Sequence, residues 1–106
     1  TFRYAKDGRL VCVFRDTTLE SPTKGDFVAW VGTYDDIVAG REGQYRVRLG
    51  DNTKGGDCGY PGLEVLPDGT LAATTYGHWT QGQQPYIVSF RFRLDEIDKL
   101  AQAPKQ

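Results

Sequence analysis

One design is written twice in this chain. FRYAKDGRL at Phe2 to Leu10 lies over LEVLPDGTL at Leu63 to Leu71, an offset of 61 that places Asp7-Gly8 on Asp68-Gly69 and Leu10 on Leu71. An offset of 60 carries FVAWVGTYDDI (Phe27 to Ile37) onto IVSFRFRLDEI (Ile87 to Ile97), pairing Trp30 with Phe90 and Asp35-Asp36-Ile37 with Asp95-Glu96-Ile97. Self-similarity at a fixed period marks an array whose units cannot bury their own faces alone, and a four-stranded unit of this type is the blade of a β-propeller. The expected fold class is therefore all-β, with two antiparallel propeller blades of the four-stranded type. Blade one covers about 2–49, blade two about 62–93 without its outer strand, and a short C-terminal helix about 95–102.

Length sets a condition on that reading. The 106 residues make a single partial propeller unit, because a ring takes roughly four to eight blades. Further blades are expected either from a longer chain or from other copies, and three copies would supply six blades as a trimer. An autonomous small β domain is the other arrangement. The first residue is Thr1 and no Met occurs, which fits a fragment or a processed product.

Thirteen basic and fourteen acidic residues are interspersed, for a formal net charge of −1. No one-signed field is available to hold a nucleic-acid backbone or an anionic membrane, so neither is an expected partner. No apolar run approaches the ~20 residues of a membrane-spanning helix.

Runs of β-branched and aromatic residues bounded by turn residues give the strands. Phe2 to Ala5 turns through Lys6-Asp7-Gly8 into Arg9 to Arg15, where Asp-Gly supplies the positive φ of a tight hairpin. LVCVF, Leu10 to Phe14, is apolar on both sides, as suits a middle strand covered on both faces. The third strand runs from about Asp26 to Thr33. After a connection from Tyr34 to Gly43 the fourth is Gln44 to Leu49, whose Arg46 and Arg48 alternate with Tyr45, Val47 and Leu49 and read as solvated edge protection. The second unit repeats the first three strands, and DEIDKLAQ, acidic first and Lys99 later, reads as the terminal helix. Cys12 within LVCVF reads as small apolar filler, with a Cys12–Cys58 disulfide as the alternative; two cysteines at this spacing make no metal site.

Strand direction sorts the loops. With both Asp-Gly hairpins on one rim, Arg15-Asp16, the Asp57 to Tyr60 loop and the Tyr76 to Trp79 loop share the other. Tyr60 is expected just before an innermost strand, with Pro61 opening that strand and holding Tyr60 extended. Each candidate on this rim carries two readings. Tyr60 is a catalytic or sugar-contacting group or a rim tyrosine packed under a loop. Arg15 is an anion ligand or the partner of Asp16 or Asp57. His78 is a proton shuttle or a polar loop residue, and Trp79 stacks on a sugar ring or packs in the core. Asp57 and Tyr76 enter as candidates because of where their loops point. No cofactor is implied, and the oxygen spacing around Asp57 is not diagnostic of calcium.

CGYPGLEVLPDGTL, Cys58 to Leu71, resembles the last-blade signature of the sialidase (neuraminidase-like, BNR-repeat) superfamily, in which a tyrosine followed by a small residue precedes an innermost strand and an Asp-Gly turn. The resemblance implies the final two blades of a six-bladed propeller, contributing to the pocket of an exo-glycosidase and inactive alone. It places Tyr60 at the nucleophile position and Arg15 at the last carboxylate-binding arginine, with Asp57, Tyr76, His78 and Trp79 as substrate-binding candidates, carbohydrate as the partner, and a secreted or periplasmic location. A neutral phenol, deprotonated by a neighbouring base, avoids the repulsion a carboxylate nucleophile feels from an anionic sugar. The chain departs from the pattern in having Tyr60-Pro61 for Tyr-Ser, and Thr74-Thr75-Tyr76-Gly77 where the family ends a strand in Leu-Tyr-Glu. The family's Asp-box hairpin survives only as Thr33-Tyr34-Asp35, and its aspartic acid, activating glutamate and two arginines have no assigned positions. A non-catalytic carbohydrate-binding or scaffolding propeller is the alternative function.

Overall fold

A computed structural model describes residues 1–17 and 20–102. Strands β1 (Phe2–Tyr4), β2 (Leu10–Arg15), β3 (Phe27–Gly32) and β4 (Tyr45–Gly50) form a four-stranded antiparallel sheet in the order β1-β2-β3-β4. Strands β5 (Cys58–Val65), β6 (Leu71–Gly77) and β7 (Tyr86–Phe92) form a second, three-stranded antiparallel sheet in the order β5-β6-β7. Helix α1 (Tyr34–Val38) joins β3 to β4, and α2 (Leu94–Gln102) follows β7. The all-β class with a short C-terminal helix is thus observed.

The sequence repeat is reproduced in the strand register. Phe2 opposes Cys12 and Cys12 opposes Trp30 in the first sheet; their counterparts Leu63, Ala73 and Phe90 oppose one another in the second. Both Asp-Gly hairpins have one geometry, a turn followed by a glycine at φ +91°, as a three-residue hairpin with a glycine bulge requires. The Gly8 amide donates to Ala5 O at 3.0 Å and the Gly69 amide to Leu66 O at 2.9 Å. Each aspartate then accepts from the amide two residues on, Asp7 from Arg9 and Asp68 from Thr70.

Alternation along each strand divides the sheets into faces. Val11, Val13, Phe27, Ala29 and Val31 of the first sheet meet Leu63, Leu71, Ala73, Phe90 and Phe92 of the second in one apolar core. Full burial of a side chain such as Phe27 or Leu71 stabilises the fold by roughly 1.5–3 kcal/mol. The opposite face of the first sheet carries Phe2, Tyr4, Cys12, Phe14 and Trp30, while that of the second carries Ala72, Thr74, Ile87 and Ser89. Helix α2 crosses back to the first unit. Its Leu94 enters the core, and Asp98 accepts two bonds from Arg9, at 2.8 and 2.9 Å, and one from the Tyr45 hydroxyl at 2.6 Å. Burial, then the bond to Asp98, pushes the Tyr45 hydroxyl up to about 12.

Three expectations are corrected, and the disulfide alternative is set aside. The Tyr34 to Gly43 connection contains α1, opened by a capping box in which Thr33 Oγ1 accepts from the Asp36 amide and Asp36 returns a carboxylate to the Thr33 amide. Thr33-Tyr34-Asp35 therefore starts a helix and is no hairpin remnant. Cys12 and Cys58 are free thiols, because Cys12 lies on the outer face of its sheet and Cys58 in the core. Arg46 and Arg48 are more than edge protection: they pair with Asp16 at 3.4 Å and Asp26 at 3.5 Å, both buried carboxylates. Finally, β5 begins at Cys58, so Tyr60 and Pro61 lie inside a strand.

Candidate functional site

That last shift in boundary comes with an irregular local structure. Gly59 opposes Tyr76 and Gly62 opposes Thr74, leaving Tyr60 and Pro61 together against the single residue Thr75. Such a bulge removes two residues from the ladder and re-aims a side chain. Proline suits the position because it has no amide to donate. The Thr75 hydroxyl, pointing into the core face, donates to Gly59 O at 2.5 Å and so satisfies a carbonyl beside the irregularity.

Tyr60 consequently departs from the extended backbone that a following proline favours. Its φ is +51°, which costs a non-glycine residue about 1–3 kcal/mol and marks positions where surrounding structure holds a strained geometry. The residue is 92% exposed. Its ring lies along that of Tyr76, with centroids 6.0 Å apart and planes 26° from parallel.

Tyr76, at the end of β6, donates through its hydroxyl to Asp57 Oδ1 at 2.8 Å. The other carboxylate oxygen accepts from His78 Nε2 at 2.6 Å. These two bonds, His78 first, hold the Asp57 carboxyl below its ordinary range, and the same bond raises the Tyr76 hydroxyl. Asp57 is therefore an anion that fixes a phenol and an imidazole in place.

Arg15 ends β2 and reaches across to the same loop, donating through Nη1 to Gly56 O at 2.7 Å. Its two alternative partners are engaged elsewhere. Asp16 accepts from Ser21 and Thr23 at 2.6 Å each, as well as from Arg46, and Asp57 serves Tyr76 and His78. Arg15, Thr17, Tyr60, Pro61 and Tyr76 line one open cleft of about 470 Å³ between the sheets.

The structure thus gathers Arg15, Asp57, Tyr60, Tyr76 and His78 on the rim opposite the Asp-Gly hairpins. It does not bring Trp79 to them. The indole packs edge-on to Phe90 at 5.6 Å and donates to Tyr86 O at 3.0 Å, which is the core reading of that residue. His78 is also largely enclosed, and its main chain is part of the loop's anchorage. Its amide donates to Asn52 Oδ1 and its carbonyl accepts from Thr53 N and Oγ1.

Asn52 is the residue that sequence reasoning missed. Its own amide donates to Asp26, and its side-chain amide donates to Gly25 O at 3.1 Å and Gly55 O at 3.2 Å, tying the β4–β5 loop to the start of β3. Thr75 was equally silent, since a threonine in a strand ordinarily signals only β propensity. The one available hint was the Gly-Tyr-Pro-Gly run, with glycines flanking a residue pair that a regular ladder cannot pair.

Among the described residues, no group of three His, Cys, Asp or Glu side chains is placed to hold a metal ion, and no helix is long and apolar enough to cross a membrane. Comparison with protein-family models, with curated proteins and with solved structures found no match.

Proposed function

We propose that the chain is the C-terminal blade pair of a sialidase-like glycoside hydrolase, supplying Tyr60 and Arg15 to a glycan pocket that further blades complete. The observation carrying this reading is the bulge that turns Tyr60 out over the Arg15 cleft at an energetic cost. A strained, solvent-facing tyrosine beside a guanidinium suits an anionic sugar: the cation takes the carboxylate and the phenol approaches without charge repulsion. Asp57 is committed to Tyr76 and His78 and does not serve Tyr60 as a base. Binding without turnover is therefore expected of the isolated chain.

A second reading, a non-catalytic carbohydrate-binding propeller pair, draws on the Tyr60–Tyr76 stack, which offers an aromatic face to the apolar face of a pyranose. Titration of the chain with free sialic acid and with neutral methyl glycosides, followed by amide chemical shifts, tests both. Shifts at Arg15, Tyr60 and Tyr76 with the acidic sugar, lost in Arg15→Ala, support the first. Equal response to neutral sugars that survives Arg15→Ala supports the second. No response to either removes the glycan reading. An aryl sialoside assay of the same protein checks the expected lack of turnover.

A further inference from the structure

The two sheets pack head to tail, and the repeat shows it. The face that the first sheet turns to the core, Val11, Val13 and Ala29, corresponds by the 61- and 60-residue offsets to Ala72, Thr74 and Ser89, which lie on the outer face of the second sheet. Conversely, Leu63, Ala73 and Phe90, which the second sheet turns to the core, correspond to Phe2, Cys12 and Trp30 on the outer face of the first. A two-fold pairing would bury equivalent faces. Here each unit buries the face that the other leaves outside, which is a heterologous interface, and such interfaces propagate until they close.

The outer faces are uneven: on the first sheet Leu10 and Val28 are buried while Phe2 and Tyr4 are exposed, and the second sheet carries exposed Glu64 and Arg91 beside Ala72. Inside the molecule Leu63, Leu71 and Phe90 of the second sheet meet Val11, Val13, Phe27 and Ala29 of the first. Outside, Phe2 and Tyr4 stand 59% and 57% exposed on one flank, and Ile87 stands 76% exposed among Ala72, Thr74 and Ser89 on the other. Exposed apolar side chains on both flanks, Phe2 and Tyr4 on one and Ile87 on the other, favour association.

We propose that the outer face of the four-stranded sheet docks on the outer face of the three-stranded sheet of a second copy of this chain, continuing the interface already present between the two sheets. This face borders the Tyr60 rim, since Tyr76 opposes Ile87 and both line one pocket with Tyr60, but its readout, mass in solution without added sugar, is separate from glycan binding.

The test is sedimentation equilibrium of three proteins at matched concentrations: the unaltered chain, Phe2→Glu/Tyr4→Glu, and Ile87→Glu. All three substituted side chains are exposed, so thermal melts should stay within a few degrees and confirm folding. The unaltered chain is expected to exceed 11.8 kDa in a concentration-dependent way, and each variant to fall back to that mass. An equimolar mixture of the two variants keeps one good pair of faces and should settle at twice the monomer mass without growing further. A monomeric unaltered chain, a variant that still associates alone, or a mixture that stays monomeric overturns the proposal.

Discussion

The two rims of these sheets are built on different terms. On the hairpin rim both units reach one solution, with Gly8 and Gly69 at the same φ, the same turn bonds, and an aspartate accepting from the second amide after it. On the opposite rim the units part company. Arg15 ends β2 while its counterpart Tyr76 is followed by one more residue of β6, and β5 is bulged at Tyr60-Pro61 whereas the first sheet's irregularity falls at Phe27/Val28. The first rim is held by backbone requirements that any copy of the design must meet. The second is held by particular side chains, Asn52, Thr75, Asp57 and His78, each used once. The repeated rim serves the fold, and the unrepeated rim is where the candidate residues gather.

The largest expected effect breaks or keeps the head-to-tail packing behind this contrast. Phe27 and Ile87 occupy equivalent repeat positions, yet Phe27 is fully buried against Phe90 at 6.0 Å while Ile87 faces outward. Phe27→Ala should cost about 3–5 kcal/mol in urea unfolding, and Ile87→Ala at monomeric concentrations no more than about 0.5 kcal/mol. Comparable losses would mean that the two faces are not inequivalent. Next in size is Asn52→Ala, which strips partners from the His78 amide and from Gly25 O and Gly55 O. A loss of about 1–3 kcal/mol is expected, together with faster amide exchange at His78. An unchanged exchange pattern would show that the unrepeated rim does not depend on this staple.

What was legible in the sequence follows the same division. Asp-Gly turns and β-branched runs are local signals, so the strands, the hairpin rim and the terminal helix could be read from residues a few positions apart. The repeat also held the information for α1, since it aligns Asp35-Asp36-Ile37 with Asp95-Glu96-Ile97, yet α1 spans five residues and buries none of them. It has no apolar stripe for a periodicity argument to find, only the Thr33–Asp36 capping box. The bulge was illegible for a different reason: Tyr60-Pro61 reads as extended by local rules, and the override comes from pairing with β6 and from Thr75. Gathering Asp57, Tyr76 and His78 on one rim needed only strand direction, whereas their mutual bonds needed coordinates.

Two smaller effects sharpen the contrast at single backbone positions. Gly8→Ala and Gly69→Ala should each cost about 1–2 kcal/mol, and equally, because a Cβ meets nothing within 4 Å at Gly8 and only a lysine side chain at 3.7 Å at Gly69. A difference much above the error of a melt would deny that the hairpins are equivalent. Tyr60→Gly has the opposite sign. It releases a positive φ while giving up little buried surface, so stability should rise by up to about 1 kcal/mol, and the amide shifts that the proposed glycan reading expects should be absent. A destabilised Tyr60→Gly would show that the ring, through Tyr76, supports the fold, and that the strain is not retained for a site.

The smallest effect is a pH dependence confined to the unrepeated rim. Asp57 has a folded-state value below the ordinary aspartate value of 3.8, mainly through the bond from His78 and then that from Tyr76. A depressed carboxylate contributes stability that is present above its unfolded value and is lost as pH falls through its folded value. The rim should therefore loosen on acidification below about pH 4, when protonation of Asp57 removes the anion that holds Tyr76 and His78. Asp7, Asp36, Asp68 and Asp98 are depressed as well, so global unfolding would mix all five. The clean observable is the Tyr76 ring signal followed by NMR from pH 6 to pH 3, since the phenol donates to Asp57 and does not itself ionise in that range. It should move with the Asp57 titration in the unaltered chain and lose that step in Asp57→Asn, while the Arg9–Asp98 contact near the other rim titrates unchanged in both. If the Tyr76 signal keeps its acidic step in Asp57→Asn, the carboxylate is not what holds this rim, and the contrast between a backbone-built edge and a side-chain-built edge loses its main support.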